Sequence, residues 1–183
     1  TGHLERLDLD ARGTLRDALV AARVVATPFA DVPLVSADVD ASAVNVAQWD
    51  AAWPATSLAL KLVARPQGSG FAGTVEARNA EAGPLDTGRI PAASLAARFA
   101  WIDGTLELND AEVRMAGGGS ATGRVTIPTR GGPSAWTLQL RDVDLARIQS
   151  TLLATRLSGS LAAEVTGARQ NVRGELREDA RAL

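Results

Sequence analysis

The 183-residue chain has no cysteine and no tyrosine, a single histidine (His3) and a single methionine (Met115). Without cysteine there is no disulfide, no thiolate nucleophile and no Cys-ligated metal. A Ser-His-Asp triad or a multi-His centre would hang on His3 alone, three residues from the chain start. Nineteen basic residues against 21 acidic ones give a net charge of −2, which exerts no general pull on nucleic acid or anionic surfaces. Lys61 is the one lysine; the other basic residues are arginines. No secretory signal is visible in this sequence. The apolar stretch Ala18–Ala26 is broken by Arg23 and falls well short of the roughly 18–20 residues a membrane span needs. The chain opens on Thr1 rather than methionine and reads as a segment of a longer protein.

What is present is a period-two alternation of apolar with polar or small residues. It runs through Leu58, Leu60, Leu62; Phe71, Val75; Leu95, Phe99, Trp101; Leu106, Leu108; Val113, Met115; Val125, Ile127; Trp136, Leu138, Leu140; and Leu157, Leu161. Turn signals separate these runs: Pro66-Gln67-Gly68, Asp103-Gly104, Asn109-Asp110, Gly117-Gly118-Gly119 and Gly131-Gly132-Pro133. Side chains of a strand alternate between faces, so each run projects one apolar row and one polar row. The chain is expected to be mostly β, an antiparallel sheet with one apolar face and short helices interspersed. Residues 1–43 mix helical spacing (Leu15, Ala18, Leu19, Ala22) with extended signals (Val24, Val25, Pro28, Pro33) and are read as strand.

Val44–Leu62 aligns without a gap on Val143–Leu161, an offset of 99 residues, with six of 19 pairs identical. Asn45 and Asp144 are good helix N-caps, followed by the apolar ridges Val46, Trp49, Trp53 and Leu145, Ile148, Leu152. Each copy reads as a helix of about two turns that ends at Ala-Thr and feeds a strand. Gly73-Thr74-Val75-Glu76 is matched to Gly174-Glu175-Leu176-Arg177 beyond it. The chain divides into repeat-like units at about 44–142 and 143–183, the second truncated, in one segment of a longer repeating β-groove.

The segment Asn45-Val46-Ala47-Gln48-Trp49-Asp50-Ala51-Ala52-Trp53-Pro54-Ala55-Thr56 resembles a pattern of the TamB family. TamB is the inner-membrane component of the translocation and assembly module of Gram-negative bacteria. Glu81-Ala82-Gly83-Pro84-Leu85-Asp86, Ile90-Pro91 and Arg156-Leu157-Ser158-Gly159-Ser160-Leu161 are similar to the same family. Two positions depart from it: Val46-Ala47 lacks the usual proline, and Leu60-Lys61 stands where Asn-Gly is usual. The resemblance implies a curved sheet with a concave apolar interior, a β-taco or β-groove. It implies a periplasmic protein anchored in the inner membrane through a region outside this segment. It implies phospholipid transfer between the two membranes, or outer-membrane protein assembly with a barrel partner, and no enzymatic activity.

The expected groove comprises Leu58, Leu60, Leu62, Phe71, Val75, Leu95, Phe99, Trp101, Leu106, Leu108, Val113, Met115, Val125, Ile127, Trp136, Leu138, Leu140, Leu157 and Leu161, with phospholipid acyl chains as partners. Trp49, Trp53, Ile148 and Leu152 are expected to plug one end. No catalytic residue, metal or cofactor is expected. Glu76, Glu107 and Glu112 alternate with arginines on the polar face and read as ion-pair members rather than an acid/base pair. Gly117-Gly118-Gly119-Ser120 lacks the Lys-Ser/Thr of a phosphate loop. The alternative reading is a closed β-domain, adhesin-like, with a structural role or binding partners by its edge strands.

Overall fold

The computed structural model describes residues 5–30, 33–129, 131–167 and 169–179; His3 lies outside them. Eleven strands dominate: β1 Leu7–Leu15, β2 Ala18–Ala26, β3 Leu34–Val44, β4 Leu58–Gln67, β5 Gly70–Asn79, β6 Ala92–Ile102, β7 Thr105–Met115, β8 Ser120–Pro128, β9 Ser134–Val143, β10 Leu157–Thr166 and β11 Arg169–Glu178. They form one antiparallel meander in chain order, β1 through β11. The sheet is open. Each strand packs extensively only against its chain neighbours, so the closed sandwich or barrel of the alternative reading is not formed. Residues 7–44 supply three of the strands, as the extended signals there predict.

The cross-strand register sorts the residues into rows that run across the strands. One row passes through Leu9, Val24, Ala37, Ala64, Gly73, Phe99, Leu108, Val125, Trp136, Ala163 and Val172. Another passes through Gly13, Val20, Ala41, Leu60, Ala77, Leu95, Val113, Ala121, Leu140, Gly159 and Leu176. Between them lies Ala11, Ala22, Val39, Leu62, Val75, Ala97, Ala111, Gly123, Leu138, Leu161 and Gly174, with a bulge at the Ala97/Ala111 step. All three rows are apolar or glycine from edge to edge. A row of the other face reads Arg12, Ala21, Asp40, Lys61, Glu76, Ala96, Glu112, Thr122, Gln139, Ser160 and Glu175. The core is therefore a surface. Its most buried apolar members are Ala18, Ala41, Ala64, Ala97, Phe99, Ala111 and Val143, five of them alanine, and no large side chain is fully buried.

Asn109-Asp110, expected to be a turn, lies inside β7 instead. Asp110 takes φ 49° and forms a β-bulge between Leu108 and Ala111. Ala43 (φ 56°) and Asp142 (φ 51°) occupy the equivalent place where β3 and β9 bulge. By contrast, Asp103 and Gly104 both have positive φ and close the β6–β7 hairpin as their sequence predicts.

Three strand glycines on the apolar face, Gly73, Gly123 and Gly159, leave no room for a side chain. A Cβ on Gly73 would lie 1.7 Å from the Val63 carbonyl oxygen, and one on Gly123 would lie 1.9 Å from that of Thr137. Backbone is hard to displace there, so Gly73→Ala and Gly123→Ala should each destabilise the chain by about 2–4 kcal/mol. Gly13→Ala, where a Cβ meets nothing within 4 Å, should change stability by less than about 0.5 kcal/mol. Urea unfolding of the three variants measures the contrast; equal effects would mean that this close approach is not present in solution.

Candidate functional site

The register brings all nineteen expected groove residues to the apolar face. Leu58, Leu60 and Leu62 alternate down β4, and Phe71 and Val75 face them from β5 with Leu95, Phe99 and Trp101 beyond on β6. Leu106 and Leu108 precede the β7 bulge, and Val113 and Met115 follow it on the same side. Val125 and Ile127, then Trp136, Leu138 and Leu140, then Leu157 and Leu161 complete the set. Phe71 makes edge-to-face contacts with Phe99 (6.3 Å between centroids) and Trp101 (4.8 Å). Most of these side chains are half-buried although no second layer covers them, whereas Trp101 and Trp136 are more than 40% exposed.

The apolar face also includes residues outside the expected set: Leu7, Leu9, Val20, Val24 and Val39 at one side, Val172 and Leu176 at the other. Their period-two signal was legible in Leu7/Leu9 and Val172/Leu176. The helical spacing of Leu15, Ala18, Leu19 and Ala22 masked it near the start. Ten strand spacings of about 4.8 Å make the face roughly 50 Å long, and its three unbroken rows span about 14 Å. That is beyond the few hundred Å² that monomeric proteins usually leave exposed.

The long connections 45–57, 80–91 and 144–156 share one rim of the sheet, and two of them are built alike. Asn45 Oδ1 accepts from the N–H groups of Ala47 and Thr56; Asp144 Oδ1 accepts from Ala146 and Thr155. Thr56 Oγ1 accepts from Val46 N–H and donates to the Val44 carbonyl; Thr155 Oγ1 does the same with Leu145 and Val143. This clasp ties each cap to a threonine eleven residues on. The enclosed helix is accordingly a single turn, 3-10 at Val46–Gln48 and α1 at Leu145–Ile148, rather than the two turns expected. The offset of 99 persists through β5 (70–79) and β11 (169–178), so Val75 corresponds to Gly174 and Gly73 to Val172. The expected glycine-to-glycine match is two residues out of register, because the pairing with Leu62 and Leu161 sets the equivalence.

Of the expected plug residues, Ile148 is half-buried while Trp49, Trp53 and Leu152 are largely exposed along the same rim. Arg16 lies 5.8 Å from the Trp49 ring. Ser150 donates from both N–H and Oγ to the Asp86 carboxylate, and Ala55 N–H donates to the Gly88 carbonyl, so the three connections are tied into one rim.

The polar face carries shallow open depressions between charged side chains, one of them lined by Asp10, Arg23, Asp38, Asp40 and Lys61. Lys61 pairs with Asp40, Arg65 with Asp38, Arg98 with Asp110 and Arg114 with Glu112. Glu76 and Glu107 join no salt bridge among the described residues, and no three acidic or histidine side chains there are grouped to hold a metal. No described helix is long and apolar enough to cross a membrane. No family model, curated protein or solved structure matches this chain.

Replacing Thr56 or Thr155 by valine keeps the shape and strands a backbone N–H and a carbonyl. Each substitution should cost about 1–3 kcal/mol, measurable as a lowered urea midpoint. A loss at Thr56 with none at Thr155 would show that the second clasp does not bear on stability. The Ser150 hydroxyl and N–H hold Asp86 below the usual carboxylate range, and Ser158 with Arg177 does the same for Asp179. With folded values depressed, their stabilisation is complete above the unfolded carboxylate pKa of about 3.9 and is lost as pH falls through the folded values. Melting temperature should therefore drop as pH is lowered from about 5 to 2, and less steeply in Asp86→Asn and Asp179→Asn. An unchanged slope in both variants would assign the acid limb to other carboxylates.

Proposed function

We propose that this chain is a non-enzymatic lipid track: a sheet curled toward its apolar face, along which phospholipid acyl chains pass. The observation that carries this reading is the set of apolar rows unbroken across all eleven strands on an uncovered face. Exposing a 16-carbon acyl chain to water costs roughly 13 kcal/mol at about 0.8 kcal/mol per CH₂. That is about nine powers of ten in rate. An apolar track removes most of that barrier without a catalytic group. The rows cross the strands, so a lipid moving along them passes from strand to strand and meets no polar side chain within a row. Side chains half-buried without a covering layer, and glycines whose missing Cβ would run into the neighbouring backbone on the apolar side, support the inward curl.

The sequence resemblance to TamB agrees with this reading. On it, the chain is a periplasmic piece of a Gram-negative inner-membrane protein that bridges to the outer membrane and works there with a barrel partner. A photoreactive residue at Leu108, in one of the three unbroken rows, should yield phospholipid adducts in cells when analysed by mass spectrometry. The same residue at the neighbouring Glu107 faces the other side and should yield none. Protein-only adducts at Leu108, or equal lipid labelling at both positions, would overturn the proposal.

A further inference from the structure

One row of the polar face is unlike the others. It lies next to the row of Glu76 and Glu112, on the side of the rim that bears the long connections. There the register aligns Arg78, Ser94, Arg114, Ser120, Arg141, Ser158 and Arg177 across β5 to β11, so that arginine and serine alternate strand by strand. Ser158 faces the β9 bulge, where its Oγ accepts from Asp142 N–H. On β1 to β4 the same row is Thr14, Leu19, Ser42 and Ala59 and carries no charge. The row runs over the face of the sheet, so its exposure does not depend on a strand edge.

The four arginines are exposed, whereas Ser94 and Ser120 are half-buried and Ser158 is buried. Arginines therefore recur about every 9.6 Å, two strand spacings, above a low floor of serines. Arg78 and Arg141 enter no salt bridge or side-chain hydrogen bond among the described residues. Arg114 pairs with Glu112 and Arg177 with Asp179, but both arginine side chains are more than 70% exposed, and such pairs give way to another anion at little cost. Ser158 also donates to Asp179, and Asp142 pairs with Arg156, so the stretch from Arg78 to Arg141 is the more strongly basic part.

The neighbouring rows limit what can lie here. About 6.8 Å further from the rim stand Glu76, Glu112 and Glu175. Beyond them a second basic row, Arg98, Arg124 and Arg173, includes Asp110 and has Glu107 and Glu164 on its far side. A membrane surface or a nucleic-acid duplex is broader than one row, and its phosphates would fall on the glutamates as well as the arginines. An extended polypeptide is narrow enough. In the polyproline II conformation it rises about 3.1 Å per residue, so every third residue returns to the same side after about 9.3 Å, close to the arginine spacing. Its backbone carbonyls, unpaired in that conformation, are open to the Ser94 and Ser120 hydroxyls. We propose that this row docks an extended acidic segment of a partner protein, laid across the strands with a carboxylate at every third residue. The inference stands on the polar face and is independent of what the apolar face carries.

Fluorescence anisotropy of the 183-residue chain with a labelled Glu-Pro-Pro repeat peptide tests it. A peptide of about 15 residues covers the roughly 29 Å from Arg78 to Arg177. It should bind, and a peptide of the same composition with its glutamates gathered at one end should bind several-fold more weakly. Arg78→Gln with Arg141→Gln should weaken binding by roughly tenfold or more. Arg124→Gln with Arg173→Gln, two rows away and beyond the screening length of about 10 Å at 0.1 M salt, should change it by less than about twofold. Glu112→Gln releases Arg114 and should tighten binding by about two- to threefold, a gain that a misfolded variant would not give. No binding would overturn the proposal, as would equal affinity for the two peptides or equal losses from the two arginine pairs. Tighter binding to phosphatidylglycerol vesicles than to the peptide, with the same dependence on Arg78 and Arg141, would overturn it too and assign the row to a membrane surface.

Discussion

The rest of this structure depends on register. A one-residue slip between paired strands would turn every apolar side chain of a strand to the other face. In a sheet with no second layer nothing else compensates. The sequence itself changes phase: the alternation runs Leu106, Leu108, then resumes at Ala111, Val113, Met115. Read as an unbroken strand, β7 would switch faces halfway. The bulge at Asp110 absorbs the extra residue and returns Ala111 to the side of Leu108. The same device takes Ala41 to Val44 around Ala43 and Leu140 to Val143 around Asp142. Aspartate tolerates the left-handed conformation better than most residues, which suits two of the three sites. Alanine at position 43 has no such help from its side chain; it stands at the place that Asp142 takes in the second copy of the repeat.

How legible this was in the sequence follows from the same constraint. Runs with uninterrupted alternation, such as Leu58–Leu62 and Trp136–Leu140, identify strands and faces directly. A phase change looks like an ending, and Asn109-Asp110 therefore reads as a turn although it is a kink within one strand. The helical spacing of Leu15, Ala18, Leu19 and Ala22 arises because a tight hairpin at Arg16-Asp17 joins two strands whose apolar rows are out of step in sequence. Only cross-strand pairing separates the two explanations. The Asn45 and Asp144 caps were legible as N-caps. Their second role was not, because the Thr56 and Thr155 contacts depend on the return path of a loop.

The clasps and the rim explain how a single layer holds together with so little deep burial. Buried residues are few and mostly alanine, so the usual stabilisation from large buried side chains is limited. The backbone ladder, cross-strand contacts and paired clasps must supply more. The two clasps bridge β3 to β4 and β9 to β10, the joints whose connections are among the longest in the meander. Asp86 and Ser150 join connections 64 residues apart in sequence, one of the few long-range ties in a fold otherwise made of nearest neighbours.

The composition of the apolar rows bears on what kind of surface they make. Gly73 stands between Ala64 and Phe99, Gly123 between Ala111 and Leu138, and Gly159 between Leu140 and Leu176. Small and large residues are thus interleaved along each row, without the fixed polar groups that orient a single ligand. Aromatic residues make up 4% of the chain, so most of the surface is aliphatic. On the proposed reading, such a face accepts flexible hydrocarbon and distinguishes poorly among chains, because each contact is dispersion and area rather than a directed bond. Specificity, where the protein has it, then has to reside in the parts that are directional: the tied rim and the charged face.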